Sequence, residues 1–414
     1  MSPAAPKTDA PDRIAVRLFR LSLGVFFMGG FVASSISLLV PHVRIAWGLG
    51  YGAASAIQFA SFSSYLLFAF PAAALVARHG YMRASAIGLG VMAVGSMLLV
   101  GGLALRNYAL VLLALLAVAT GATFLQIAGN NVVTLVGDPK RAAIRLNLLQ
   151  GFNALGTVVG PVVGAMTLIP SAAHPMAALW SGIPFGCAAL LLAALAMAFA
   201  RNRDLLRGVS GARRGHRAVW WSALRDARLR WGAVAIFAYV GAEVAIGALS
   251  TDFLMSRHAG GWPATVAARL VALYWGGAMV GRFAGAALLR RVGASMLLAA
   301  VAVMAPCLVL LAVAGQGMMA GFALLAVGLA NSVMYPTIYV LALPGDPERA
   351  PAGGLILCIA VVGGAVVPML TGWLADHVGL VLALLLPGTC YLPILGFALG
   401  VQSPSRELSR TINS

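Results

Sequence analysis

WGAVAIFAYVGAEVAIGALSTDFL, residues Trp231 to Leu254, is a mostly apolar run with one carboxylate near its middle, Glu243. As a helix rising about 1.5 Å per residue, it is long enough to cross the ~30 Å of hydrocarbon in a bilayer. No other charged residue stands between Arg230 and Asp252. A carboxylate at that depth is costly and faces a bundle interior or a wet cavity. Every other acid in the chain lies in a tail, a loop or close to a helix end. The expectation is a machine built around a polar cavity that Glu243 touches; the alternative is a protonated, hydrogen-bonded structural Glu.

Composition extends this reading outward. The 414 residues are 61% hydrophobic and 9% charged, with a mean hydropathy of +0.94. A soluble chain of this length needs far more charge to cover its surface, so a soluble enzyme is excluded. Apolar segments of membrane-spanning length recur from end to end. The net charge of +17 invites a nucleic-acid partner, but the placement of the 28 Lys and Arg argues against one. With a cytoplasmic N-terminus and twelve spans, 24 fall on the cytoplasmic side and four outside: Arg44, Arg106, Arg257 and Arg269. That is a positive-inside bias, which also suits anionic lipid headgroups. The cysteines (Cys187, Cys307, Cys358 and Cys390) lie apart in apolar spans and read as packing residues, with no metal site or disulfide framework.

Twelve spans are expected, near 18–41, 52–77, 82–104, 108–136, 142–170, 177–200, 231–256, 262–289, 294–314, 317–343, 350–375 and 379–400. The basic stretch 201–230, with nine Arg and two Asp, reads as a cytoplasmic linker between an N-terminal six-helix bundle (18–200) and a C-terminal one (231–400). Polar cytoplasmic tails are expected at 1–17 and 401–414, and the first has no signal-peptide layout. The halves echo each other. GDPKRA at Gly137–Ala142 is answered 208 positions later by GDPERA at Gly345–Ala350; Pro161 is answered by Pro368, and ARHG at Ala77–Gly80 by RRVG at Arg290–Gly293. The fold class is therefore an all-α polytopic membrane protein, two six-helix bundles related by a parallel pseudo-two-fold repeat. Such repeats place a substrate site between the halves near the midplane, reached by rocking.

No catalytic constellation is visible. The six His stand at loops or helix ends, with no Ser/His/Asp grouping and no phosphate-cradling loop, so neither an enzyme nor a nucleotide-driven pump is indicated, and no cofactor is called for. What remains is a set of neutral polar side chains within apolar helices. Gln126 and Asn130 stand i, i+4 on one face, with Asn131 beside them; Asn147, Gln150 and Asn153 follow at intervals of three. Gln58, Ser34, Ser35, Ser37 and Asn331 lie in other spans. Amides and hydroxyls both donate and accept hydrogen bonds, which suits a polyhydroxylated neutral solute such as a sugar. Tyr239, Trp275, Tyr335 and Tyr339 offer flat faces for a pyranose. For each amide the alternative is helix–helix hydrogen bonding. Arg282 reads as a snorkelling or loop-clamping Arg, and Asp252 and Asp376 as solvated caps or gate groups.

The carrying stretches are FFMGGFVASSISLLVPH (Phe26–His42), IQFASFSSYLLFAFPAA (Ile57–Ala73), RLNLLQGFNALGTVVGPVVG (Arg145–Gly164), YVGAEVAIG (Tyr239–Gly247), YWGGAMVGRF (Tyr274–Phe283), NSVMYPTIYVLAL (Asn331–Leu343) and AVVGGAVVPMLTGWLADHVG (Ala360–Gly379). Together they resemble the major facilitator superfamily and, within it, the fucose–galactose–glucose:proton symporter family in its glucose/galactose permease branch. The resemblance covers nearly all twelve spans. It implies sugar uptake across the bacterial inner membrane, commonly driven by the proton gradient. By position, Gln150 and Asn153 match cavity-facing fifth-helix residues, Gln126 a fourth-helix site that is Glu in the fucose permease, and Glu243 the acid of the seventh-helix GAEV motif. The departures concern coupling: the family's first-helix Asp position falls on Ser37, Gln126 is uncharged, and the usual fourth-helix Asn-Pro reads Asn130-Asn131. Either Glu243 alone carries the proton, or the protein is a uniporter, or another ion couples; a changed substrate such as an amino sugar also fits.

The resulting expectation is a monomeric transporter of a neutral hexose, with substrate contacts from Gln126, Asn130, Gln150, Asn153, Gln58, Ser37, Tyr239, Glu243, Trp275 and Asn331. Glu243 is the coupling acid, and the partners are sugar, a proton and membrane lipids. The rivals are a sugar uniporter, an amino-sugar transporter, an exporter with an apolar aromatic cavity, and a non-transporting sensor.

Overall fold

In hydrocarbon every backbone N–H and C=O needs a partner from the protein itself, and a helix supplies one within each segment. The computed structural model describes residues 10–46, 51–135, 138–168, 177–206, 223, 225–346 and 348–402; among these there is no strand. The N-terminal half contains α1 (Ala10–Ala46), α2 (Tyr51–His79), α3 (Tyr81–Ala104), α4 (Tyr108–Leu135), α5 (Ala142–Leu168) and α6 (Ala177–Arg201). The C-terminal half begins with α7 (Ala227–Met255), α8 (Ala264–Leu288) and α9 (Ala294–Ala314). Its last three spans are broken: α10 (Gly317–Asn331) with α11 (Met334–Ala342), α12 (Ala350–Ala360) with α13 (Gly363–Val378), and α14 (Leu380–Ala383), α15 (Leu385–Thr389) and α16 (Tyr391–Gln402). Nine of the twelve spans are long and apolar enough, among the described residues, to cross a membrane. The other three are α2, α5 and α8; α5 is diluted by Arg145, Asn147, Gln150 and Asn153.

The first helix starts at Ala10, ahead of the expected span at 18, so part of the expected tail is helical. Most of both tails and residues 207–222 of the basic linker lie outside the described residues. The broken spans have local causes. Pro336 has no N–H for the Ser332 carbonyl, and the chain resets at Ser332–Val333 between α10 and α11. The break at Val361–Val362 precedes Gly363-Gly364, weak helix formers both.

The internal repeat is visible in atomic detail. Asp138 accepts a hydrogen bond from the Lys140 N–H at 2.9 Å and lies 3.7 Å from the Arg141 guanidinium. Asp346 does the same, accepting from the Glu348 N–H at 2.9 Å with Arg349 at 3.7 Å. Helix crossings repeat too. A Cβ on Gly156 of α5 would fall on the Phe27 carbonyl of α1, and one on Gly363 would fall on the Phe237 carbonyl of α7. Glycine is required at both, because the backbones meet where a side chain would stand.

The halves meet at the end of the molecule carrying the Asp138 and Asp346 turns. There Asn131 of α4, fully buried, donates to the Ala350 carbonyl at 3.0 Å and accepts from the Tyr339 hydroxyl at 2.6 Å. Phe283 of α8 lies over Gly151 of α5, and Val333 packs by Gly285 and Asn147. These contacts close that end, and a polar cavity lies beyond them.

Candidate functional site

The cavity has a volume of about 290 Å³ and lies between the halves. From the N-terminal half its wall includes Gln126 and Asn130 of α4 and Gln150, Asn153 and Thr157 of α5. From the other half it includes Tyr239 and Glu243 of α7, Arg282 of α8 and Tyr335 of α11. Helical spacing explains the amides: Gln126 and Asn130 are one turn apart, and Gln150 and Asn153 share a face.

Three of these amides, Gln126, Asn130 and Asn153, are held by a second contact. Gln126 Nε2 and Asn130 Nδ2 both donate to the Tyr335 hydroxyl, at 2.8 and 3.1 Å. Asn153 Nδ2 donates to the Phe26 carbonyl of α1 at 2.9 Å, and the Thr157 hydroxyl donates to the Asn153 carbonyl at 3.1 Å. The α1–α5 crossing therefore fixes Asn153, since α1 comes close enough only because Gly30 leaves room for the Asn153 backbone.

Glu243 is not a lone carboxylate. Arg282 Nη2 stands 3.8 Å from Glu243 Oε1, and the two side chains are only 13% and 14% exposed. Arg282 Nη1 also donates to the Gln150 carbonyl at 3.4 Å, across to the other half. These are the two charged residues among those lining the cavity. The sequence reading of Arg282 as a snorkelling or loop-clamping side chain is corrected here: it turns inward because an acid one helix away neutralises it. The sequence clue was the shared rarity of Glu243 and Arg282 as charges within apolar spans.

Behind Glu243 runs a buried relay. Tyr391 donates to Asn331 Oδ1 at 2.9 Å, Asn331 Nδ2 donates to the Tyr274 hydroxyl at 2.9 Å, and Tyr274 donates to the Glu243 carbonyl at 3.0 Å. Asn331 is thus not among the cavity-lining residues and holds Tyr274 instead; the α10–α11 break follows it directly. Trp275 is 39% exposed, packs edge-on against Tyr274 at 5.1 Å and is likewise not among the cavity-lining residues. Asn147, expected on a face with Gln150 and Asn153, is fully buried and donates to its own helix at Ala143. The side chains of Ser37 and Gln58 lie outside the described residues. Tyr65, in the cavity wall, had no distinguishing pattern in sequence.

Comparison with known proteins agrees with this architecture. Residues 21–343 match the family model described as Major Facilitator Superfamily. The chain is 39% identical over 406 residues to the glucose/galactose transporter of Brucella abortus, covering 96% of this chain and 97% of that one. It is 27% identical over 422 residues to the L-fucose-proton symporter of Escherichia coli, covering 95% of each. The crystal structure of the MFS transporter FucP in the outward conformation superposes with a TM-score of 0.84 at 25% identity, covering 94% of this chain and 99% of that one. The chain is a multi-pass membrane transporter and not an enzyme, and it belongs to the Major Facilitator Superfamily, within the fucose–galactose–glucose:proton symporter family.

Proposed function

We propose that this chain carries a neutral hexose of the glucose/galactose type into the cell by alternating access, coupled to a proton. The observation that supports it best is the cavity wall: amides from Gln126, Asn130, Gln150 and Asn153 face a single acid–base pair, Glu243 and Arg282. Amides match hydroxyls, and a mutually neutralised pair leaves no net charge to demand a charged solute. The names of the relatives, glucose/galactose transporter and L-fucose-proton symporter, point the same way.

Several finer features belong to this reading. The termini and the Asp138 and Asp346 turns lie in the cytoplasm of a bacterium, on the basic side of its inner membrane, with bundles over 18–200 and 231–400 joined by the 201–230 linker. The described state is then closed to the cytoplasm and faces outward. The working unit is a monomer in contact with anionic lipid. Glu243 is the coupling acid, with Arg282 as the cation that receives it when it is ionised. Ser37 and Gln126, uncharged where the family is often acidic, favour a second reading as a hexose uniporter.

The test is counterflow of radiolabelled glucose in proteoliposomes, with and without an imposed pH gradient. Accumulation above equilibrium only with the gradient supports symport. Counterflow indifferent to the gradient supports uniport or another ion. No glucose movement sinks the hexose assignment, and amino sugars and export come next.

A further inference from the structure

We propose that the Tyr335 hydroxyl is a specificity-determining hydrogen-bond donor to the transported solute, its proton aimed at the cavity by Gln126 and Asn130. The proposal rests on the sugar-transport reading above and deepens it.

A phenol has one proton to give and one oxygen that accepts. In Tyr335 the accepting side is taken twice, by Gln126 Nε2 at 2.8 Å and Asn130 Nδ2 at 3.1 Å. Both donors come from one face of α4, so they approach from the same side. Among the described residues no protein acceptor takes the Tyr335 proton, although the residue is 7% exposed and lines the cavity. The ring has little freedom to turn away. Tyr239 packs against it with centroids 6.3 Å apart, and Tyr339 does so at 5.9 Å. The one ligand atom this arrangement fits is an acceptor: a hydroxyl oxygen of the sugar.

The identity of residue 126 decides the polarity. Gln126 can donate to the phenol and leave its proton for the solute. A carboxylate at the same place has nothing to donate and would take that proton itself. With Gln, the site therefore offers a donor that an acid would remove.

The experiment is inhibition of glucose counterflow in proteoliposomes by the series of monodeoxy and monodeoxyfluoro glucoses, on wild type and Tyr335→Phe, at constant pH. In wild type one ring position is expected where the deoxy sugar binds about tenfold more weakly while the fluoro sugar, which keeps an acceptor, loses less. In Tyr335→Phe glucose weakens by about the same factor, and the deoxy and fluoro sugars at that one position become equivalent to it. A variant that weakens every analogue equally, or leaves the wild-type profile unchanged, overturns the proposal. Gln126→Glu at pH 7.5 keeps the phenol and redirects its proton, so it should erase the same positional difference; retention of the difference there overturns the proposal even if Tyr335→Phe does not fold. Wild-type vesicles that move no glucose overturn the sugar reading and this inference with it, an outcome distinct from movement without positional selectivity.

Discussion

Asn131 and Tyr339 stand 208 positions apart, the interval of the internal repeat, and hydrogen-bond each other at 2.6 Å. Equivalent points of the two halves thus meet on the pseudo-two-fold axis and fasten one end of the molecule. Asn131 also reaches the Ala350 carbonyl at the start of α12. Fourth-helix Asn131 takes the place where the family resemblance anticipates a proline, which has neither side-chain donor nor acceptor.

Tyr339→Phe should loosen that end. Losing one buried hydrogen bond is worth about 1 kcal/mol, which moves a two-state balance roughly fivefold. Spin labels on cysteines introduced at Lys140 and Glu348, in a background without the four native cysteines, report the distance between the two turns. A larger population of longer distances is expected in the variant; an unchanged distribution would mean that Asn131 and Tyr339 do not hold the closed end.

Arg282→Gln should be more damaging than the paired change Glu243→Gln/Arg282→Gln. Removing one partner leaves a nearly buried charge uncompensated, a loss of up to about 3–5 kcal/mol in a dry interior and less beside a wet cavity. Thermal melts of detergent-solubilised protein should rank wild type and the double variant above Arg282→Gln. In vesicles, Glu243→Gln should keep counterflow and lose gradient-driven accumulation.

Asn331→Leu should lower stability without a matching loss of sugar affinity. The substitution leaves the Tyr391 proton without its acceptor, at a cost of about 1–3 kcal/mol, and removes the donor to the Tyr274 oxygen, whose own proton still goes to the Glu243 carbonyl. A fall in melting temperature with an unchanged Kd, read by calorimetry, is the expected pair of results. A large rise in Kd at unchanged stability would put Asn331 in the binding site after all.

Gly363→Ala should be poorly tolerated, since its methyl meets the Phe237 carbonyl and one of the two helices must move. Overpacking of this kind costs about 1–3 kcal/mol. Gly372→Ala, where nothing lies within 4 Å of an added Cβ, is the control expected to behave as wild type in yield and melting temperature.

How much of this was legible in sequence differs by level. Membrane-spanning segments, the repeat and the placement of Glu243 on an interior cavity follow from hydropathy and from charges that are expensive in lipid, and both are local properties. Gln126 and Gln150 were placed on faces by helical spacing, which works within one unbroken helix. Spacing does not say what a face meets. Asn331 points to Tyr274 and Tyr391, away from the cavity, because the chain resets just after it. Arg282 looked like an interfacial side chain because its partner, Glu243, lies 39 positions away on another helix. Tyr335 was read for its ring, whereas its hydroxyl accepts from two amides more than 200 positions distant.

The Glu243–Arg282 pair has an electrical consequence. Two opposite unit charges held 3.8 Å apart form a dipole with no monopole, so the empty carrier can reorient with almost no charge crossing the field. A proton added to Glu243 turns the same site into a monocation, on which 100 mV acts with about 2.3 kcal/mol. Under the proposed coupling through Glu243, voltage drives the loaded carrier inward and leaves the empty one nearly indifferent on its way back.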